Sequence, residues 1–366
     1  MTEIPPSPGP PPAAQRPRRS DLLKNILLSV VSTTIFLALL ETGLRVFDLA
    51  PTENLLYPDE ETWKALPGPF APRQDFVDRS RPRLAHRIRI NSLGFRGPEF
   101  PLTKETGTLR ILCLGDSYVF GSYVNEGETF PSVLEARLRR KAPHRPIEVI
   151  NGGVSGYTIP DEAALAEEKG FALEPDSILL SFVLNDLTEM TRRVSSRENQ
   201  RREAREMSGS ALTPVKALLR RTAIYNLLFG LKVSFMGRLK IDPTVQELPI
   251  RHLLHPPYDD ATEALFARYQ EELGRLAEGC RRRRIDLVLI LFPFYEQVVE
   301  GAPAEAQARM SRMGAEIGIP VIDLLPAFRE MGPRGADLFL MPLNHHPSAL
   351  GYQVAAAEVA SRLPLR

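Results

Sequence analysis

Four short stretches carry the residue types that nucleophilic acyl chemistry needs. In "LCLGDSYVFG", residues 112–121, an apolar run stops at Gly115, Asp116 and Ser117. A serine hydroxyl becomes a useful nucleophile only with a base in hydrogen-bond reach and with donors aimed at the oxyanion it creates. "NGGVSGY", residues 151–157, contains Gly153 and Gly156, and its glycines permit a tight turn with exposed backbone N–H groups. "LND" places Asn185, whose amide can donate a further hydrogen bond, beside Asp186. "NHHPSALGY", from Asn344, supplies the imidazoles of His345 and His346. Taken singly, each is an ordinary turn or loop.

Their positions relative to the secondary structure give them weight. "RILCLG" from Arg110 reads as a buried strand, and "PIEVIN", "DSILLSFVL", "IDLVLILFP" and "IPVIDL" repeat the pattern from 146, 176, 285 and 319. Between them lie helical spacings: Phe130, Leu134 and Leu138; the stretch from Asp161 to Phe171; Ala306, Met310 and Met313 beyond Pro303; and "SALGYQVAAAEVASRL" at the end. Strands alternating with helices require crossover connections, hence a parallel five-stranded sheet covered on both faces. Ligands of such sheets sit outside the carboxyl ends of the strands, the edge where all four stretches fall.

In that order, Gly115-Asp116-Ser117, then Asn151 to Gly156, then Asn185-Asp186, then His346-Pro347 with Gly351, the chain resembles the SGNH or GDSL hydrolase superfamily. The likeness spans roughly 108–366, apart from an insertion at about 188–258. With "NSLGFRG" ahead of the first strand, the layout is similar to that of membrane-anchored bacterial members. The resemblance implies a flavodoxin-like three-layer sandwich and ester hydrolysis without a cofactor. It assigns Ser117 as nucleophile, its own N–H with that of Gly156 and the amide of Asn185 as oxyanion hole, His346 as general base, and Asp116 as a structural neighbour, with Gly153 and Asp186 in support. The family's aspartate, three or two residues before the histidine, is replaced here by Leu343 and Asn344. Asparagine can orient an imidazole but cannot stabilise an imidazolium as a carboxylate does. Three solutions stay open: Asp337 supplies the acid, Asn344 orients a Ser-His dyad, or His345 is the base.

Location is read from the amino terminus. Residues 1–24 form a Pro-rich, basic tail, expected to be disordered, with Arg16, Arg18, Arg19 and Lys24 ahead of an uncharged run from 26 to 40. Extended by its neighbours, this run over 25–47 suits a single transmembrane anchor rather than a cleaved signal peptide, because no small-x-small cleavage site follows. The positive-inside rule then puts the tail in the cytoplasm and the catalytic domain on the periplasmic or extracellular side of the cytoplasmic membrane. Residues 48–107 read as a linker and N-terminal extension, connecting from 50 to 85, with "HRIRI" a short strand entering a turn. In the insertion, basic "TRRVSSRENQRREAREM" precedes an apolar stretch from Ala223 to Phe229, and Thr213-Pro214 looks like a helix start. This is expected to be a helical cap, with an interfacial helix as the alternative.

The remaining features exclude more than they propose. A net charge of +1 gives no global field for nucleic acid. Cys113 and Cys280 read as buried free thiols. His252 and His255 lack a convincing third ligand, so no metal is expected. Arg281 to Arg284 end a helix, where cations complement its dipole. The expected partners are an ester substrate, named as an acylated glycan of the cell envelope because the anchor holds the domain beside it, and the membrane. Acyl transfer through the same acyl-enzyme, or a non-catalytic binding module that lost the acid, are the rival readings.

Overall fold

The structure, a computed structural model, describes residues 19–47, 57–58, 60–79, 81–191, 196–208, 219, 222–225, 227–228, 231 and 250–364. It divides into two units, Met1–Leu49 and Ala50–Arg366. The first is the helix Arg19–Val46. Its segment Leu23–Val46 has a mean hydropathy of 1.9 and is long and apolar enough to cross a membrane. Leu28 is 68% exposed and Leu39 67%. Two of its hydroxyls bond back within the helix, Thr34 donating to Val30 O and Thr42 to Ala38 O, both at 2.8 Å. Back-bonding of this kind removes the cost of placing threonine in an apolar medium.

The second unit is built on a five-stranded sheet. The strands preceding it are β1 (Gln74–Asp78) and β2 (His86–Ile90), an antiparallel pair. The sheet comprises β3 (Leu109–Leu114), β4 (Ile147–Asn151), β5 (Ser177–Phe182), β6 (Asp286–Leu291) and β7 (Val321–Asp323). All neighbours are parallel, in the order β4-β3-β5-β6-β7. Every residue of β3 is buried, as a strand covered on both faces must be. Helices Phe130–Lys141 and Ala349–Arg362 pack together on one side, and Ile159–Glu168, Asp260–Arg283 and Glu305–Ile317 form the other layer. This is the flavodoxin-like strand order, which reverses direction between β3 and β5 and opens a crevice there.

Local chemistry sets the helix starts. Thr129 caps Phe130–Lys141 with Pro131 in the first turn, and Ser348 caps Ala349–Arg362, accepting from Gly351 N at 3.2 Å. The stretch 50–85 differs from its reading as a connection: it contains the helix Glu60–Ala65 and strand β1, and Phe70 and Phe76 enter the core. "QDFVD" is too short to show a period, and only its partner β2 makes it a strand. Two buried arginines fasten the segment that follows, residues 86–110, to its surroundings. Arg96 donates to Phe120 O, Gly121 O and Val124 O at 3.0, 2.8 and 2.7 Å, while Arg110 reaches Pro101 O, Leu102 O, Leu173 O and Glu148.

In the insertion, the basic first part forms the helix Ser196–Ser208, with Arg197 and Arg201 paired to Glu168. Thr213, Pro214, Asn226 and Phe229 lie outside the described residues. Cys113 and Cys280 are free and buried.

Candidate active site

Ser117 begins the helix Ser117–Phe120 directly after β3, on the carboxyl edge of the sheet. Asp116 caps that helix, its Oδ1 accepting from Tyr118 N at 2.8 Å. The turn is possible only because Gly115 has no side chain: a Cβ there would sit 2.0 Å from Ser181 Oγ. The loop after β4 leans on the same turn. Asn151 accepts from Gly153 N at 3.0 Å and donates to Phe120 O at 3.2 Å, and a Cβ on Gly153 would lie 2.2 Å from Phe120 N. Gly156 follows with a φ of +77°, in the left-handed region that favours glycine.

Asn185, at the end of β5, donates from Nδ2 to Asp116 Oδ2 at 2.9 Å. This side-chain bond bridges the two strands that flank the crevice. Asp186 turns inward, its Oδ2 accepting from Val183 N at 2.9 Å. Burial raises the pKa of Asp116, against the lowering effect of hydrogen bonds from Asn185 and the Tyr118 N–H. Burial likewise holds Asp186 and Glu162 well above the ordinary carboxyl range, with Asp116 adding repulsion to both.

The last loop closes the arrangement. His346 Nε2 lies 2.7 Å from Ser117 Oγ. Asn344 Oδ1 is hydrogen-bonded to His346 Nδ1 and also accepts from the His346 backbone N–H at 2.9 Å. The backbone contact fixes the amide's orientation, because an N–H can only donate. The same oxygen therefore faces Nδ1, which must carry the ring proton, leaving Nε2 free to accept from the serine. The rings of Tyr118 and Tyr123 each lie 5.2 Å from the imidazole. Burial of the ring first, then the charges of Arg81 and His345, lower the pKa of His346 to about 4.

Of the alternatives left open by the sequence, Asp337 is not brought to the imidazole. Its carboxylate is exposed and accepts from Arg334 at 3.3 Å in the turn Gly332–Leu338. His345 is half-exposed, with Nδ1 3.8 Å from Glu296, and only its carbonyl faces inward, accepting from Tyr118 OH at 3.1 Å. Sequence reasoning passed over Arg81, which donates to Leu343 O at 3.0 Å and stacks over Tyr123. No spacing signal ties an arginine in a proline-rich stretch to a histidine loop far along the chain. Among the described residues, no group of three or more His, Cys, Asp or Glu is arranged to hold a metal ion.

The sequence profile of a family described as GDSL-like lipase/acylhydrolase matches residues 113–354, more than half of the chain. No curated protein matches. Solved structures with a similar fold include a lipolytic protein of the G-D-S-L family from Desulfitobacterium hafniense DCB-2, 16% identical, covering 70% of this chain and 99% of that one, with a TM-score of 0.40. Another is the acetylxylan esterase Axe2 from Geobacillus stearothermophilus, 18% identical, covering 69% and 92%, with a TM-score of 0.41.

Proposed function

Because the chain belongs to the GDSL-like lipase/acylhydrolase family, we propose that Ser117 is the nucleophile of this ester hydrolase, His346 its general base and Asn344 the residue that orients the imidazole. The observation that carries the assignment is the 2.7 Å contact between Ser117 Oγ and a ring nitrogen whose tautomer Asn344 sets. Ser117 Oγ attacks the ester carbonyl as its proton passes to Nε2. The N–H groups of Ser117 and Gly156 and the amide of Asn185 receive the oxyanion. His346 then returns the proton to the departing alkoxide, leaving an acyl-serine. Water, deprotonated by the same nitrogen, attacks the acyl carbon, and the serine leaves with the proton.

Asn344 makes this a dyad with a neutral orienter. A depressed pKa keeps His346 unprotonated and ready to accept, but it also makes the imidazole a weak base, so the proton transfer is less favourable than in a carboxylate triad. The substrate is an O-acetyl ester on a cell-envelope polysaccharide, hydrolysed outside the cytoplasmic membrane. The support is the apolar helix Arg19–Val46, which, as an anchor preceded by a basic tail, keeps the domain beside such polymers.

A fluorophosphonate applied to the full chain in detergent tests the assignment by intact mass. One adduct, formed as Oγ bonds to phosphorus and fluoride departs, is expected in the wild type and absent from Ser117→Ala and His346→Ala. An adduct retained in Ser117→Ala would remove Ser117 from the mechanism.

A further inference from the structure

Away from Ser117, a cavity of about 380 Å³ lies between the helices Glu60–Ala65 and Ser196–Ser208. That volume is at the lower end of small-ligand sites, roughly 300–1,000 Å³. Its walls combine aromatic surface, from Tyr57, Trp63 and Tyr157, with an excess of cations. Lys64 is paired with Glu60 in its own helix at 3.3 Å. Lys169, Arg197 and Arg201 are left to share one carboxylate, that of Glu168, with which both guanidiniums pair.

Among the described residues of the wall, Glu60 and Glu168 are the only carboxylates set against these four cations. Lys169, only 6% exposed, spends its ammonium on the carbonyls of Trp63 and Leu66 and lies 4.4 Å over the Trp63 ring. The side chain of Arg197 is 12% exposed and its Nε has no hydrogen-bond partner. A buried guanidinium short of acceptors is costly, and an anion paired with it from the cavity would offset part of that cost. Burial lowers the pKa of Lys169 to about 8, with Glu168 opposing the shift and Arg197 and Arg201 adding repulsion.

We propose that this cavity binds a carboxylated sugar residue, its acid group taken by Arg197 and Arg201 and its ring held against Trp63 and Tyr57. The choice of a saccharide rests on the glycan reading above, whereas the demand for an anion rests on the cavity alone. Tyr157 connects the two sites through the chain: it immediately follows Gly156, and its hydroxyl donates to Gln200 Oε1 at 3.1 Å in the helix that carries both arginines. Occupation of the cavity would thus stabilise the loop that bears Gly156, and the acidic residue of a polymer would dock apart from the ester being cleaved.

Trp63 is the sole tryptophan of the chain, so its fluorescence reports on this wall alone. The full protein in detergent is titrated with tri-galacturonate, with neutral galactotriose and with inorganic phosphate, calorimetry being run on the same samples. A saturable response to tri-galacturonate, none to galactotriose, and at least tenfold weaker binding in Arg201→Gln are expected. A response to phosphate without one to tri-galacturonate, equal responses to both oligosaccharides, or silence from all three by both methods would each overturn the proposal. Turnover of a chromogenic acetyl ester in the same samples separates the two readings. Ester hydrolysis with an unresponsive cavity rejects the acidic-sugar site alone, and loss of hydrolysis in Ser117→Ala leaves the binding result standing. Arg197→Lys, which keeps the charge and removes the Nε donor, is the second variant if Arg201→Gln does not fold.

Discussion

At the scale of single residues, the question is what an amide does where a carboxylate would ordinarily stand. Asn344 holds His346 through one oxygen bonded to two N–H groups, and aspartate could occupy the same position with the same contacts. Asn344→Asp is therefore expected to raise the pKa of His346 and to increase kcat by about tenfold or more, a part of the ~10⁴ separating acid from amide in a serine protease. The pH dependence of kcat/KM checks both effects. In the wild type the acidic limb should fall near 4, not near 6.5, because His346 must be neutral to act and its pKa is lowered to about 4. Arg81→Ala should move that limb upward, since the arginine's charge disfavours the imidazolium. An unchanged limb in both variants would mean that another group titrates. The placing of Ser117 and His346 at one edge was legible because each sits in a short motif next to a strand end or a helix start, whereas the residue that meets Nδ1 was left open between Asp337 and Asn344. The position of Asp337 was not legible, because sequence separation from His346 says nothing about which way the turn Gly332–Leu338 directs a carboxylate. Tyr123 and Arg81 carried no signal either, being brought to the imidazole only by folding.

At the scale of elements, the site depends on a turn that several segments buttress. Arg96 supplies four donors to backbone carbonyls from Arg87 to Val124, and it pairs with Glu126 at 3.3 Å. Arg96→Met would keep much of the stem and leave these carbonyls and a largely buried carboxylate without their donor. A loss of about 3 kcal/mol or more in unfolding free energy is expected from denaturant titration. Fluorophosphonate labelling should slow as well, because Phe120 and Gly121 end the helix that begins with Ser117. A loss below about 0.5 kcal/mol would show that water replaces the guanidinium freely. The five sheet strands were readable from continuous apolar runs, but β1 was not. Its five residues pair with β2 across a hairpin, and such pairing is a tertiary event that a local pattern does not encode.

At the scale of the molecule, buried acids make stability depend on pH in a direction opposite to the usual one. Glu162 and Asp186 have pKa values held well above their ordinary ones, burial being the main cause, so the folded state keeps protons that the unfolded chain releases. Their contribution is fully present below the unfolded pKa and declines as pH rises, by at most about 1.4 kcal/mol per pH unit for each retained proton. His346 works the other way: between about 4 and 6.5 the unfolded chain binds a proton that the folded ring does not, so its contribution is lost as pH falls through that window. Glu162→Gln, which removes the titration, is expected to flatten the fall in Tm as pH rises above the ordinary value of 4.5, measured by calorimetry. A slope equal to that of the wild type would place the responsible proton elsewhere. The architecture of this unit was legible from the alternation of strands and helices, while its buried acids were not, because Glu162 stands in an acidic helix start that reads as solvated surface.

The 2.7 Å contact between Ser117 and His346 spans 229 positions of the chain. During synthesis a ribosome therefore displays the proposed nucleophile long before it has made the proposed base, and the helix Ala349–Arg362, docked through Lys141 Nζ to Ala360 O at 2.8 Å, is later still. A nascent chain that has already folded β3, β4 and β5 carries a serine no more reactive than any other. On the proposed assignment, the pairing of serine and imidazole is completed in a single late step.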